Sequence, residues 1–288
     1  MPDDKKHLFC FGFGYSAIEL ARQLPRDEWR ITGTRRSEEG CASIRAQGYE
    51  AVLFDGETPM DASVFDGVTH VVQSIAPGKD GDPVLRLHGH DLAARADRIA
   101  WFAYLSTTGV YGDRDGGWVD ENSPLEPSTS RGEARLEAEA GWLGMREAFG
   151  LAVHLFRLAG IYGPGRNQID SLRNGTAKRI VKPGQVFSRI HVEDIAGILR
   201  ASMEHPNPGT AYNVCDDEPA PPQDVVKWAA ELIGVEPPPE VAFEDADLSP
   251  MAKSFYAESK RVSNARVKEE LGYRFRYPTF REGLKALA

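Results

Sequence analysis

The chain is short of cysteine, of long apolar runs and of basic charge, and each shortage narrows what it is. Cys10, Cys41 and Cys215 are the only three cysteines in 288 residues. They are odd in number, widely spaced and unlike any metal-ligand pattern, so a disulfide framework and a zinc site are both excluded. The longest wholly apolar or aromatic run, Ile99 to Leu105, is far too short to cross a bilayer. Residues 1–6 lead straight into the first apolar segment with no hydrophobic secretory stretch, which points to the cytoplasm. There are 34 Lys and Arg against 43 Asp and Glu, a formal net charge of -9. With no basic cluster either, nucleic acid and an anionic membrane are excluded as partners. No internal repeat or low-complexity tract is present. At this length the chain holds one large α/β domain with an appended lobe, or two domains.

What is present begins at residue 7. His7 to Phe11 reads as a short buried strand and runs into Gly12-Phe13-Gly14-Tyr15-Ser16-Ala17, a G-x-G-x-x-A turn that opens a helix. In such a turn the first Gly permits the tight bend, the second lets the backbone approach a pyrophosphate, and the small Ala17 lets the helix pack on the strand. Ala17, Leu20, Ala21 and Leu24 then recur at helical spacing, the stripe of a helix covering a sheet. The first amides of that helix face the phosphates, where the helix dipole favours negative charge. A dinucleotide site over Gly12 to Ala17 is expected.

The cofactor is read from the end of the second strand. About twenty residues past the glycine turn, an Asp or Glu would bond the ribose 2′-hydroxyl of NAD. This chain has Thr34-Arg35-Arg36-Ser37 there. Two guanidinium groups, always charged and fork-shaped, suit a 2′-phosphate, so NADP is expected ahead of NAD. The alternative is a solvated basic turn before Glu38 and Glu39.

Strands are predicted at Trp29 to Thr34, Tyr49 to Phe54, Val68 to Gln73, Trp101 to Ser106 and Leu151 to Arg157, with helices between most of them. The fold class is α/β, a Rossmann-type doubly wound parallel sheet with a small C-terminal substrate lobe. After Gly163-Pro164-Gly165 the pattern loosens into turns at Lys182-Pro183-Gly184 and Asn207-Pro208-Gly209 and a proline run at 237–239. The dinucleotide domain is accordingly placed at 1–163 and the substrate lobe at 164–288. Residues 190–215 return to the sheet as a helix over His191 to Met203 and a strand over Tyr212 to Val214.

Several segments resemble the extended short-chain dehydrogenase/reductase superfamily, the group of NAD(P)-dependent nucleotide-sugar epimerases and dehydratases. They are YLSTTGVYG at 104–112, RLAGIYGP at 157–164, RIHVED at 189–194 and AYNV at 211–214. SKRVSNA at 259–265 and LGY at 271–273 look like the family's closing helix and turn. The resemblance implies a Rossmann sheet of about seven strands. It also implies that Asp55 meets the adenine ring, or else caps the loop before Gly56, and that Ser74, Ile75 and Ala76 lie beside the cofactor. Thr107 matches the position whose hydroxyl polarises the reacting carbonyl. Tyr111 and Tyr162 sit at pocket-wall positions, Tyr111 lining the substrate, and packing is the expected role of both. His191 and Asp194 are expected to cap and pack.

The resemblance breaks at its centre. The family's Tyr-x-x-x-Lys pair is matched by PSTSRGEARLEAE at 127–139, which puts Arg131 at the Tyr and Arg135 at the Lys. Four-residue spacing keeps both on one helical face. A guanidinium with a pKa above ~12 cannot exchange a proton near neutrality as a phenol does. Arg131 or Arg135 is then expected to stabilise developing oxyanion charge while water or a substrate group supplies the proton. A solvated Arg- and Glu-rich helix is the alternative. An Asn common ahead of Tyr-Gly-Pro is replaced by Gly160, and the stretch from Tyr162 to His191 is short, so a ligand smaller than a sugar nucleotide fits better. Arg166 and Arg189 are the candidate anion contacts for it. The reading is an NADP-binding oxidoreductase or epimerase-like enzyme acting on a small-molecule substrate, with no metal and with a homodimer as the candidate assembly. Against it stands a noncatalytic NAD(P)-binding redox sensor or interaction protein.

Overall fold

The computed structural model describes residues 5–288, so the first four of the residues read as running straight into the first strand lie outside them. The chain divides into two compact units. The first holds residues up to Ser106, Glu133–Arg157 and Ala196–Tyr212, and the second holds Thr107–Gly132, Leu158–Ile195 and Asn213–Ala288. The sequence reading instead places the cut at 163/164 and the returning segment at 190–215. The difference arises because 107–132 belongs with the second unit although it follows a sheet strand directly.

The first unit is built on a seven-stranded sheet. Five strands carry the early chain: β1 (Lys6–Phe11), β2 (Trp29–Arg35), β3 (Glu50–Leu53), β4 (His70–Gln73) and β5 (Trp101–Thr107). Val153–Leu158 and Ala211–Val214 complete it. The order across the sheet is Ala211–Val214, Val153–Leu158, β5, β4, β1, β2, β3. The pairings β1 with β2, β2 with β3, β1 with β4 and β4 with β5 are all parallel. The chain therefore starts in mid-sheet, runs outward through β3 and returns to β4 on the other side of β1. That reversal is the switch point of a doubly wound fold, and the crevice beyond the carboxyl ends of β1 and β4 is where such sheets bind ligands.

Every predicted strand is present, with ends displaced by one or two residues. α1 (Tyr15–Gln23) follows the glycine turn, and Ala17, Leu20, Ala21 and Leu24 are all buried as its spacing predicts. α2 (Glu38–Ala46) is capped by Ser37, whose hydroxyl accepts from the Gly40 amide at 3.2 Å. α3 (Pro83–Ala93) starts at Asp82, and α4 (Ser130–Phe149) is the longest helix described. The main core of this unit is aromatic. Phe9 and Phe11 on β1 meet each other at 4.9 Å between ring centres, and Phe54 and Phe65 pack on them edge-on or tilted at 5.1 to 5.9 Å.

The second unit has its own core of Tyr162, Ile169, Ala220, Val225, Ala229, Phe280 and Leu284. The helix expected from His191 begins one residue later, as Val192–Glu204, because His191 ends the strand Arg189–His191. The closing helix expected over 259–265 is displaced. Arg261–Val262 is a strand paired with Trp118–Val119, and the helix is Ala265–Glu270. No helix among the described residues is long and apolar enough to cross a membrane.

Three buried histidines, His7, His70 and His154, stand on β1, β4 and the Val153–Leu158 strand. Burial holds each imidazole down to about 4. His154 shows why protonation is resisted: Nδ1 bonds the Phe102 carbonyl at 3.3 Å while Nε2 accepts the Asn207 amide at 3.0 Å. A proton on Nε2 would face an N–H donor. Because these folded values lie below the unfolded ~6.5, the stability is complete above pH 6.5 and is lost as pH falls toward 4. Each histidine steepens that loss by up to ~1.4 kcal/mol per pH unit. His154→Gln keeps one acceptor and one donor but does not titrate, so urea midpoints between pH 7 and 5 are expected to fall less steeply in the variant. Parallel slopes would remove His154 from the account.

Candidate functional site

The glycine turn is held by contacts that leave its outer face bare. Gly12 has φ +80, and its amide donates to Thr34 Oγ1 at 2.8 Å. A Cβ on Gly12 would lie 2.8 Å from Ser74 Oγ and 3.0 Å from Ile75 Cγ1. Conformation and space thus both require glycine there. Gly14 differs. Its φ of -93 suits any residue, and a Cβ there would meet nothing nearer than the Gly12 carbonyl at 4.0 Å. Neither folding nor packing asks for glycine at 14, which leaves an open approach to the backbone. The N-terminus of α1 has no side-chain cap and no acidic residue in its first turn.

The rest of this end of the sheet separates residues that build the turn from residues that remain available. Ser74 donates its hydroxyl to the Phe11 and Gly12 carbonyls at 3.0 and 2.7 Å, so it ties β4 to the turn. Ile75 is half-buried with its amide on Gln73 Oε1, and Ala76 is exposed. Phe13 is buried beside Gly33, where a Cβ would strike its ring at 2.5 Å. Tyr15 is half-buried, and Ser16 and Ala17 are buried at the start of α1. Asp55 takes the amides of Glu57 and Thr58 on one oxygen at 2.8 and 2.9 Å, and these bonds hold its carboxyl below the usual range. Of its two sequence readings, the loop cap is the one these bonds make.

Arg35 and Arg36 end β2 and follow it. Neither guanidinium has an ion pair or hydrogen bond among the described residues, and Arg35 Nε is buried without a partner. The nearest acid in sequence past them, Glu38, is bound to Arg45 at 2.5 Å. A bare glycine backbone, an uncapped helix start and two unanswered guanidinium groups fit a phosphate-rich ligand.

Arg135 on α4 is buried in the first unit. Its Nη1 donates to the Leu105 carbonyl at 2.6 Å, and the guanidinium stands 5.7 Å from the Tyr104 ring centre. One turn on, Glu139 receives Arg157 through Nε and Nη2 at 3.2 and 2.8 Å and the Ser106 hydroxyl at 2.5 Å. This buried pair escaped the sequence reading, although Arg131, Arg135 and Glu139 share one helical face at spacing 4. Also missed was Asp82, buried and ringed by Gln73, Trp142 and the amides of Val84 and Leu85.

In the second unit, Thr107 accepts the Gly109 amide on Oγ1 at 3.1 Å. Its own hydroxyl proton has no acceptor among the described residues. Arg131 is exposed, 5.6 Å from the Phe255 ring centre. Its neighbour Gly132 explains how it comes beside the Thr107 turn: a Cβ there would lie 2.9 Å from the Gly109 carbonyl. A glycine in the first turn of a helix was the available signal for that close approach. The start of this helix thus packs on the turn that follows Thr107.

Two expected contacts, Tyr111 and Arg189, are tied into the fold. Tyr111 is fully buried and donates to Asn213 Oδ1 at 2.7 Å, so it lines no surface. Arg189 is buried with Nη1 on the Phe187 and Ala220 carbonyls at 2.9 and 3.1 Å. Burial lowers it to about 10, against the pull of Asp216, and burial raises Asp216 to about 8. It is a structural cation, whereas Arg166, on a turn closed by Gly163, is exposed. His191 is buried, and its Nδ1 accepts the Glu193 amide at 3.2 Å. Asp194 takes the Tyr273 hydroxyl and the Arg276 and Tyr277 amides, the structural role expected of both. Tyr162 is buried as well.

Residues 91–215 match the model of the NAD dependent epimerase/dehydratase family. The chain is similar to that family over this stretch. It is 55% identical to a conserved protein of unknown function from Silicibacter pomeroyi DSS, over 98% of each chain with a TM-score of 0.90. Protein YeeZ of Escherichia coli strain K12 is 29% identical, over 95% of this chain and 97% of YeeZ. The dTDP-glucose 4,6-dehydratase of Bacillus anthracis str. Ames, solved in complex with NAD, is 17% identical over 97% and 94% of the two chains at TM-score 0.78, which shows the shared fold. The similarity to that family and the open face at Gly14 give one expectation. Gly14→Val leaves circular dichroism and melting unchanged while dinucleotide affinity drops by on the order of a hundredfold, because the side chain fills the pyrophosphate's space. Binding retained in a folded variant would make the turn purely structural.

Proposed function

We propose that the chain is an NADP-binding oxidoreductase or epimerase/dehydratase-like enzyme that works on a small carbonyl or alcohol substrate without a Tyr-Lys relay. The observation that carries the cofactor assignment is Arg35, whose guanidinium is unpaired even at its buried Nε, beside an equally unpaired Arg36. A buried donor left without an acceptor costs ~1–3 kcal/mol, which a phosphate oxygen recovers by accepting it. Residues Gly12 to Ala17 hold the pyrophosphate, and Arg35 and Arg36 hold the 2′-phosphate. When bound, the nicotinamide supplies hydride chemistry.

Thr107 is the polar group assigned to the reacting carbonyl, with a hydroxyl proton to donate to it, and the exposed Arg131 supplies positive charge at the start of α4. Arg135 is anchored on a carbonyl and orients rather than exchanges protons. Arg166 is the exposed cation for an anionic substrate group. Three buried free thiols fit a reducing compartment such as the cytoplasm.

One observation favours the noncatalytic reading: the two phenols nearest the family motifs, Tyr111 and Tyr162, are both buried. Turnover separates the two. NADPH oxidation is to be followed over a panel of aldehydes and ketones in wild type, Thr107→Ala and Tyr111→Phe. Thr107→Ala is expected to lose at least ~10-fold in kcat. Tyr111→Phe is expected to keep its rate and lose about 1 kcal/mol of stability with the Asn213 bond. Tight NADP binding with no turnover on any member would favour the sensor, and the reverse order of losses would make Tyr111 the relocated acid.

A further inference from the structure

At the opposite end of the first unit's sheet, where β1, β2 and β3 begin, lies a cleft of about 350 Å³ lined by Lys5, Arg26, Trp29, Arg30, Tyr49 and Glu50 among others. Ligand pockets start at about that volume. Tyr49 of this cleft meets the ring of Phe13 at 5.4 Å between centres, while Lys5 stands at the start of β1, six residues at ~3.3 Å each from the glycine turn.

The cleft is organised around Arg26. Its Nη2 donates to the Gln47 carbonyl at 2.8 Å, and its guanidinium lies 4.6 Å from the Tyr49 ring centre. Gly48, at φ +80, makes room for it: a Cβ there would fall 2.6 Å from Arg26 Nη1. The Arg26 carbonyl in turn accepts Lys5 Nζ at 3.1 Å. Hydrogen bonds to carbonyls and a ring contact orient these cations but cancel none of their charge.

The carboxylate of the cleft is already committed. Glu50 is gripped by Arg30 through two bonds of 2.8 Å and takes the Thr32 hydroxyl at 2.9 Å. Arg30 holds its carboxyl below the usual range, so it stays charged and stays paired. Asp27 and Glu28, next to Arg26 in sequence, make no ion pair among the described residues. Lys5 and Arg26 are left as two positive charges without a counter-ion, converging on a concave surface of an otherwise acidic chain.

We propose that this cleft binds a small phosphate-bearing anion, with Arg26 as the oriented donor and Lys5 as the second charge. A planar guanidinium held by a ring and a carbonyl presents its remaining N–H groups in a fixed fork, the geometry that phosphate oxygens match.

Calorimetry at low ionic strength tests the assignment, with inorganic phosphate and glycerol 3-phosphate titrated into the full chain. Saturable binding is expected that Arg26→Gln weakens at least tenfold and Lys5→Gln severalfold, and that persists in the Arg35→Ala, Arg36→Ala double variant, where no phosphate held by those two arginines adds to it. Tighter binding of glycerol 3-phosphate identifies a phosphorylated metabolite as the ligand, and equal binding identifies free phosphate. Lys5→Gln removes a charge at the surface without touching the turn, so it decides the matter even if Arg26→Gln melts early. Absence of binding to wild type overturns the proposal. So does binding indifferent to Lys5 and Arg26, or abolished by the Arg35 and Arg36 changes.

Discussion

Unanswered positive charge at the carboxyl ends of β1 and β2 is the constraint on which this site depends. The chain is acidic overall, yet no carboxylate among the described residues pairs with Arg35 or Arg36, and the first turn of α1 has neither cap nor acid. Folding leaves those groups to be satisfied by something else. The neighbouring residues act to keep the place open: Gly12 bends away, Ser74 pins the bend, and Gly14 exposes backbone where any side chain would have been tolerated. Glu38, the acid nearest in sequence, is drawn off to Arg45.

The second feature is the inner face of α4. A guanidinium is a planar fork that can be pinned where a point charge would move. Here Arg135 is pinned, its Nη1 on the Leu105 carbonyl, and Glu139 one turn on binds Arg157 and Ser106 in the interior. A buried ion pair of this kind is costly to break because the survivor is left charged and unpaired. The helix therefore reads as a fixed scaffold, with Arg131 exposed at its start beside the Phe255 ring.

Strand positions and the glycine turn were legible because each rests on local pattern: short apolar runs, helical spacing from residue 17, and two glycines at fixed separation. The roles of Asp55, Ser74, Tyr111 and Arg189 were not. Each is a polar side chain whose partner is chosen by folding, and sequence spacing does not show whether the acceptor is a cofactor or a nearby backbone group. Ser74 chose the Gly12 carbonyl and Arg189 chose two carbonyls, while Tyr111 reached Asn213, 102 residues away. The unit boundary was hidden for the same reason, since 107–132 continues directly from β5 yet packs with the later chain.

The account turns on whether Arg35 and Arg36 serve a 2′-phosphate, and paired titrations of NADP and NAD by calorimetry decide it. Wild type is predicted to bind NADP at least ~10-fold tighter, one charge-assisted contact being worth ~1.5–3 kcal/mol. The Arg35→Ala, Arg36→Ala variant is predicted to lose that margin while its NAD affinity stays within about twofold. Equal affinities in wild type, or a double variant that binds NADP as before, would contradict it.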